Sequence, residues 1–423
     1  MITRKSSAWA IFDWGNSAIS TIIFTFVFPV YFAKSIFGDE TLGSAQWSFA
    51  IGIAGLATAI LAPLVGGMAD HYGPRKPLLA LLCAFTVTAT IGLSLMAPGV
   101  YWVMPALILA GLATVTFELG QSIYNSMLND VSEPQYRGRV SGIAWGLGYF
   151  GGLSCLVIAL FGLIGLGDTP PLIPLPKEGE WPVRASFALA GIWMAIFILP
   201  LFLFCPDRGR TALSLSQSAN RGVGEVIETL KELWQDRNMR FFIIGSAIYR
   251  DGLITLFAIG GLYAADKFGM SFADILIFAI GLNVMSGLGA MLLSILDDRA
   301  GPKTTILISL AGLTLCGLTI LLFIDTKTGF MITAMMLGIF IGPAQSSGRV
   351  MMARLSPIAE QTRYFGFYAM TGKAAAFTGP IIYGTLTSLF HDQNAGLASI
   401  LGLWVIGAVF ILLVRDKDVP KPR

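Results

Sequence analysis

Five ionisable side chains interrupt long apolar stretches of the sequence, and their types are suited to chemistry: Asp13, Glu118, Arg250, Asp251 and Lys373. A charge at the centre of a bilayer costs about 2.5 to 3.5 kcal/mol on insertion scales, so each of these side chains should face protein or water. Carboxylates and cations in one interior could hold the two ends of a zwitterion through charge-assisted hydrogen bonds. A carboxylate in such a place could also carry a proton.

Polar residues at helical spacing accompany these charges. Gln121, Ser122, Asn125 and Asn129 follow Glu118 on one helical face. A similar group follows Asp13: Asn16, Ser17, Ser20 and Thr21. A third group, Gln345 and Arg349, lies at the end of the tenth apolar run. We expect these polar helix faces to line a shared, water-accessible interior. The candidate solute-binding residues are Asp13, Asn16, Glu118, Gln121, Asn125, Arg250, Asp251, Gln345 and Lys373.

The composition indicates which kind of structural element holds these residues in place. Only 13% of the 423 residues are charged, against about 25% in soluble domains, and 55% are hydrophobic. This excludes most soluble classes, and no basic tract with interleaved aromatics supports nucleic acid as a partner. Twelve apolar runs are long enough to cross a bilayer core of roughly 30 Å as helices. They lie near residues 9–34, 45–68, 77–97, 101–127, 140–165, 185–205, 240–264, 271–296, 304–324, 330–349, 364–389 and 395–414.

The 28 Lys and Arg residues are distributed unevenly among the loops. When both termini are placed on one side of the membrane, most of the basic residues fall on that side, which the positive-inside rule makes cytoplasmic. The first run carries Asp13 and Asn16 and lacks a small-residue cleavage site, so we interpret it as an uncleaved span. The sequence therefore predicts a multi-pass protein of the cell (inner) membrane with both termini in the cytoplasm.

The two halves of the chain repeat weakly. Three short matches recur in the same order at offsets of about 228 residues, which indicates a duplicated six-helix unit: 70–75 with 298–303, 135–137 with 361–363, and 17–19 with 246–248. We therefore predict an N-terminal bundle over 1–205, a cytoplasmic linker over 206–238 and a C-terminal bundle over 239–423. Parallel repeats of this kind build secondary transporters with a site between the halves.

The linker contains an amphipathic pattern. Its apolar residues are spaced for one helical face: Val226, Ile227, Leu230, Leu233 and Trp234. Its charged residues fall largely on the other face: Glu225, Glu228, Lys231 and Glu232. Two interpretations stay open. The helix could lie at the membrane surface, or it could pack on the cytoplasmic ends of the bundle.

A motif between the second and third runs resembles the signature of the major facilitator superfamily: Gly66-Gly-Met-Ala-Asp70-His-Tyr-Gly73-Pro-Arg75-Lys76. His71 and Pro74 depart from basic positions of that signature. The segments 12–18, 249–252 and 365–373 are similar to the vacuole-effluxer-like branch, whose fungal members resemble amino-acid exporters. The short loops are typical of a bacterial member.

The resemblance implies an all-α fold of twelve transmembrane helices in two six-helix bundles related by a pseudo-two-fold axis. Spans 1, 4, 7 and 10 would line the cavity, and spans 2, 5, 8 and 11 would gate it. It also implies that Asp70 faces the start of span 11 and that Asp298 faces the start of span 5, where helix dipoles attract carboxylates. The candidate gate residues are Asp70, Arg75, Arg137, Arg139, Asp298, Arg299 and Arg363.

Adjacent residues on a helix point about 100° apart, so Arg250 and Asp251 need separate partners. We expect Arg250 to meet Asp13 or Glu118 across the cavity and Asp251 to face the seam between the halves. The five charges sum to minus one, so one proton would neutralise them, and Glu118 is the first candidate acceptor with Asp13 the second. The alternative is that all five form structural ion pairs.

These features predict a secondary active transporter that moves an amino acid or similar zwitterion, as an exporter coupled to protons, by alternating access. The alternatives are an organic-anion carrier using Arg250, Lys373 and Arg349, and a lipid scramblase or flippase. We expect no enzyme activity, because His71 and His391 fall in loops on opposite faces and no phosphate-binding loop is present. We expect a monomer with no cofactor or metal, whose partners are a small polar solute, protons and membrane lipids.

Overall fold

The computed structural model describes residues 2–165, 170–270 and 272–415. Helices dominate these ranges, which contain no β-strand. Twelve crossing helices follow the twelve apolar runs, and α11 consists of two segments. They are α1 Arg4–Phe37, α2 Glu40–Tyr72, α3 Lys76–Leu93, α4 Val103–Ser126, α5 Arg137–Val157, α6 Glu178–Phe204, α7 Arg237–Phe268, α8 Phe272–Ala300, α9 Pro302–Phe323, α10 Lys327–Leu355, α11 Gln361–Ala375 with Thr378–Phe390, and α12 Gln393–Leu413.

Within the described ranges, 11 helices are individually long and apolar enough to cross a membrane. The remaining crossing is α11, whose two segments are each too short to span alone but together follow the predicted run 364–389. The predicted all-α fold of twelve transmembrane helices in two bundles is confirmed, with α1–α6 in one half and α7–α12 in the other.

The interruption in α11 has a chemical cause. Pro380 has no backbone N–H to donate to the carbonyl of Ala376, so the regular hydrogen-bond ladder cannot continue across this point. The second segment begins at Thr378, and the Gly379 N–H donates to Asp251 Oδ2 of α7 at 2.7 Å. A carboxylate at a helix N-terminus also interacts favourably with the helix dipole. Asp251 therefore caps the second segment of α11.

The seam between the halves is closed by two helix pairs on the side where α1 begins and α12 ends, here called the terminal side. There α2 packs against α11, and α5 packs against α8. Gly366 of α11 has no room for a side chain, because a Cβ there would overlap the carbonyl of Ala62 in α2. Gly142 of α5 meets Ser294 of α8 in the same way. Small residues let these backbones approach closely.

A glycine inside the C-terminal half provides a test of this packing. A Cβ at Gly289 of α8 would overlap the carbonyl oxygen of Ile339 in α10, whereas a Cβ at Gly111 of α4 would meet nothing within 4 Å. We expect Gly289→Ala to destabilise the protein by about 1 to 3 kcal/mol through overpacking. Gly111→Ala, the matched control, should be neutral or stabilising. Thermal unfolding of both variants in the same detergent checks this, and equal melting temperatures would contradict the packing described.

The linker between the halves contains the predicted helix, over Leu215–Gln235, here called the linker helix. Ser214 begins it with a capping box that involves Gln217. The helix packs on the terminal end of α2, where a Cβ on Gly222 would lie 2.8 Å from the Met68 backbone nitrogen. The predicted apolar face is divided: Leu233 is buried, whereas Ile227, Leu230 and Trp234 are exposed.

Candidate functional site

An ion pair joins the two halves near the middle of the bundle. Glu118 Oε1 of α4 lies 2.6 Å from Lys373 Nζ of α11. The Glu118 side chain is 23% exposed and the Lys373 side chain 32% exposed, so both keep accessible surface. Because the seam is closed on the terminal side, we interpret this access as coming from the opposite side. Both residues belong to the predicted solute-binding set, and the structure brings them together.

A second ion pair joins the halves closer to the terminal side and is dry. Arg349 Nη1 of α10 lies 3.0 Å from Asp13 Oδ2 of α1, and the two side chains are only 4% and 9% exposed. The same Arg349 nitrogen donates to Asn125 Oδ1 of α4 at 3.1 Å. Arg349 also donates to Ser141 of α5, from Nε to Oγ at 2.9 Å and from Nη2 to the carbonyl at 2.8 Å. One arginine of the C-terminal half thus fastens three helices of the N-terminal half.

Aromatic rings complete the surroundings of Arg349. Its guanidinium carbon lies 4.6 Å from the Trp9 ring centroid and 5.6 Å from that of Trp145. Trp9 is stacked on Tyr124, and each side chain donates a hydrogen bond to the other's backbone carbonyl. Cation–π contacts gain strength when the cation is desolvated, as it is here. The buried guanidinium is therefore well compensated.

Our pairing of Arg250 with Asp13 or Glu118 is wrong, because Arg349 and Lys373 occupy those carboxylates. The Arg250 guanidinium lies 4.4 Å from the Tyr368 ring centroid and donates to the Tyr368 carbonyl at 3.4 Å. It also packs against Gly372, where a Cβ would lie 3.0 Å from Nη1. Among the residues that the structure describes, no carboxylate pairs with Arg250. Arg250 is half-buried, and its neighbour Gly372 directly precedes Lys373 in the sequence of α11.

The expected orientation of Asp251 is also wrong. Asp251 is 2% exposed and faces α11 of its own half, where it caps the segment that begins at Thr378. It therefore does not face the seam. Its Oδ1 atom has no hydrogen-bond partner in the described part of the chain. The sequence predicted that the Asp251 and Arg250 side chains point in different directions, but it did not predict which neighbour each one contacts.

The other predicted solute-binding residues differ in their access to the seam. Asn16 is buried, at 2% exposure, and Gln121 is half-buried. Gln345 accepts a hydrogen bond from the Tyr149 hydroxyl at 2.8 Å, which links α10 to α5. Arg349, which the sequence placed on the polar edge of the tenth run and among the anion ligands, was missing from the predicted charge count and corrects it. With it, the predicted interior charges become three acids and three bases and no longer sum to minus one.

The carboxylate at the end of α2 meets the start of α11. Asp70 accepts hydrogen bonds from the backbone N–H groups of Thr362 at 3.2 Å and Arg363 at 2.8 Å. It also pairs with Arg75 at 3.2 Å. The Arg363 side chain points elsewhere, to Glu360 and to Glu225 of the linker helix. Asp70 thus uses the backbone and dipole of α11 rather than the Arg363 guanidinium.

The equivalent carboxylate of the second half meets α5. Asp298 accepts a hydrogen bond from the Arg139 N–H at 3.2 Å and pairs with the Arg139 guanidinium at 3.2 Å. Arg137 forms no such pair in the described structure, and Arg299 is exposed. The two gate contacts are therefore similar at the backbone and differ in their side chains.

The Asp70 contact makes a prediction about local opening. Asp70→Asn removes the charge that complements the start of α11, at a cost of about 1 to 2 kcal/mol. Amide hydrogen exchange at Thr362 and Arg363 should then be faster by about tenfold. Glu133→Gln is the matched control, because Glu133 is exposed and bonds Gln135 rather than a gate helix. Unchanged exchange at both amides in Asp70→Asn would contradict a latch.

Comparison with known proteins agrees with this architecture. The sequence model of the family described as Vacuole effluxer Atg22 like matches residues 35–419. The "Uncharacterized MFS-type transporter YxiO" of Bacillus subtilis (strain 168) is 24% identical over 422 residues, covering 98% of this chain and 96% of that protein. Autophagy-related protein 22 of Yarrowia lipolytica (strain CLIB 122 / E 150) is 23% identical over 335 residues, covering 72% of this chain and 55% of the fungal protein.

Solved structures show the same fold at low sequence identity. The human organic anion transporter MFSD10 has a TM-score of 0.73 at 13% identity, covering 96% of this chain and 99% of its own. FucP in the outward conformation has a TM-score of 0.70 at 12% identity, covering 97% and 98%. Together with the family match, these likenesses support secondary transport. The chain belongs to the Vacuole effluxer Atg22 like family of the major facilitator superfamily and is similar to its bacterial members.

Proposed function

We propose that the protein transports an amino acid or a similar small zwitterion, and that the Glu118–Lys373 ion pair is the centre of its binding site. The observation that carries this proposal is that the side chains of this pair are partly exposed, whereas those of the Asp13–Arg349 pair are buried. A solute can reach only the first pair without first separating the helices. Arg250 of α7 adds a cation with no carboxylate partner among the described residues, packed against Gly372, the residue that precedes Lys373 in α11.

Exchange of partners gives the proposed binding step. The ammonium of the solute replaces Lys373 at Glu118, and the carboxylate of the solute replaces Glu118 at Lys373 and Arg250. Every charge keeps a partner, so the exchange avoids the large cost of an unpaired charge in a low-dielectric site. A simple anion bound at this site would displace water from Glu118 and leave the carboxylate without a partner. This balance favours a zwitterion over the alternative organic anion, for which Arg349 is in addition already engaged by Asp13.

We propose that transport occurs by alternating access, in the direction of export, with proton coupling. The contacts of Asp70, Asp298 and Arg349 hold the terminal side closed, and they must break for the solute to enter from that side. Protonation of Glu118 would release Lys373, and protonation of Asp13 would release Arg349. These two carboxylates are the proposed proton acceptors, with Glu118 the first.

The test is a thermal-stability screen of the purified protein at two pH values. Ligand binding stabilises a folded protein by mass action, by about 2.7 kcal/mol at a hundred times the dissociation constant. We expect neutral amino acids to raise the melting temperature of the native protein and to have no effect on Glu118→Gln. Stabilisation by organic anions alone would support the anion carrier instead. A response to amphiphiles without any response to amino acids would support a scramblase.

A further inference from the structure

The linker helix lies on the membrane-facing stripe of α2. Four exposed apolar residues mark this stripe along the helix: Ile53, Leu56, Ile60 and Leu61. The stripe continues at helical spacing to Leu64 and Met68, and there Gly222 packs against the backbone. The α11 contact is on a different face of α2, formed by Ala62 and Gly66. The linker helix therefore covers, at the terminal end of α2, the same apolar stripe that is exposed one and two turns further along the helix.

The linker helix itself has three distinct faces. Its small buried face, with Ser218, Gly222 and Thr229, packs on α2. Glu225 points to the seam, where it bonds His71 of α2 at 2.7 Å and Arg363 of α11 at 2.6 Å. The remaining face, nearly opposite Glu225 on the helix, is an apolar ridge: Ile227 at 67% exposure, Leu230 at 46% and Trp234 at 59%. Since Glu225 points toward the seam, the ridge points away from the protein axis.

We propose that this ridge, Ile227, Leu230 and Trp234, is a docking surface for the lipid bilayer at the interface on the terminal side. Apolar side chains on an amphipathic helix reach about 5 to 10 Å into the boundary between headgroups and acyl chains. Trp prefers this depth because one part of its ring system is apolar and the other is polar. The helix carries two basic residues, Arg221 and Lys231, against three acidic ones, so docking rests on apolar burial rather than on attraction to anionic headgroups.

Docking has a consequence for the gate. The same helix carries Glu225, which connects α2 to α11 through His71 and Arg363 across the seam. Partial burial alone would raise the pKa of Glu225, but His71 and Arg363 lower it overall, so the carboxylate stays charged. A bilayer that holds the ridge also holds this bridge in place. The terminal gate is thereby stabilised by the lipid that surrounds it.

The experiment uses the full chain in phosphatidylcholine vesicles, with its four native cysteines replaced. A bimane label is attached at Leu230→Cys, and a matched control label at Glu228→Cys on the charged face of the same helix. Quenching is measured with a nitroxide on the lipid chain near the headgroup and with aqueous iodide. A second ridge position, Ile227→Cys, guards against a local effect of one label.

We expect the lipid-borne nitroxide to quench the labels at 227 and 230 several times more than the label at 228, and iodide to show the reverse order. Equal quenching at all three positions by iodide would place the ridge in water and overturn the proposal. Protection of 227 and 230 from both quenchers would also overturn it, because a protein surface rather than lipid would then cover the ridge.

Discussion

Replacing Arg349 with Met will open the terminal side of the bundle. The substitution keeps an apolar stem among the aromatic rings but leaves Asp13 charged, buried and without its cation. Breaking a buried pair by removing one partner costs about 3 to 5 kcal/mol. The closed state bears this cost, whereas an open terminal side hydrates Asp13. We therefore expect the open population to rise by two or more orders of magnitude, at about 1.4 kcal/mol per factor of ten.

The measurement is the distance between spin labels at Glu133→Cys and Ile358→Cys, which are exposed on the terminal loops of the two halves. Arg349→Met should shift the distribution to longer distances. The matched control is the double variant Asp13→Asn with Arg349→Met, which removes both charges and should return toward the short distance. A short distance in Arg349→Met alone would show that the dry pair does not hold the gate.

Replacing Lys373 with Met will strongly reduce transport while changing stability little. The Glu118–Lys373 pair is partly hydrated, and hydrated pairs contribute about 0 to 1 kcal/mol to stability. If the carboxylate of the solute binds Lys373, however, losing that charge-assisted contact costs about 2 to 5 kcal/mol, which is a drop of about 30-fold or more in binding. The measurement is counterflow of the stabilising amino acid in proteoliposomes, beside the melting temperature.

Lys373→Arg keeps the charge and is the matched control, so it should retain more counterflow than Lys373→Met. A variant Lys373→Met that melts far lower than the native protein would assign this pair to structure rather than to the solute. Glu118→Gln also tests the role of Glu118 as proton acceptor. If it preserves flux driven by a pH gradient, Glu118 is not the proton acceptor.

The sequence was sufficient for the architecture and for which helices carry charge. Hydrophobic length predicted the twelve crossings, and the interruption of α11 lies beside Pro380. The contact of Asp70 with the start of α11 also lies where the motif indicated. The crossings follow from hydrophobic length along the chain, and the Asp70 contact is what the resemblance to the superfamily signature implied.

The partners of the charges could not be predicted, because they depend on how each helix is rotated about its axis in the assembled bundle. Arg250 and Arg349 both lie on helices expected to line the cavity, yet only Arg349 reaches Asp13. The signal available for Arg349 was its position four residues after Gln345, on the polar edge of α10. The linker helix shows the same limit, since its pattern did not distinguish Leu233, which is buried, from the exposed Trp234.

Calorimetric binding of the stabilising amino acid to the native protein and to Glu118→Gln tests the proposed centre of the site most directly. Glu133→Gln, which removes an exposed carboxylate outside the seam, is the control. We predict saturable binding to the native protein and the control, and a loss of about 30-fold or more in affinity for Glu118→Gln, because the ammonium would lose its proposed charge-assisted partner. Equal affinity in all three proteins would contradict a solute site at the Glu118–Lys373 pair.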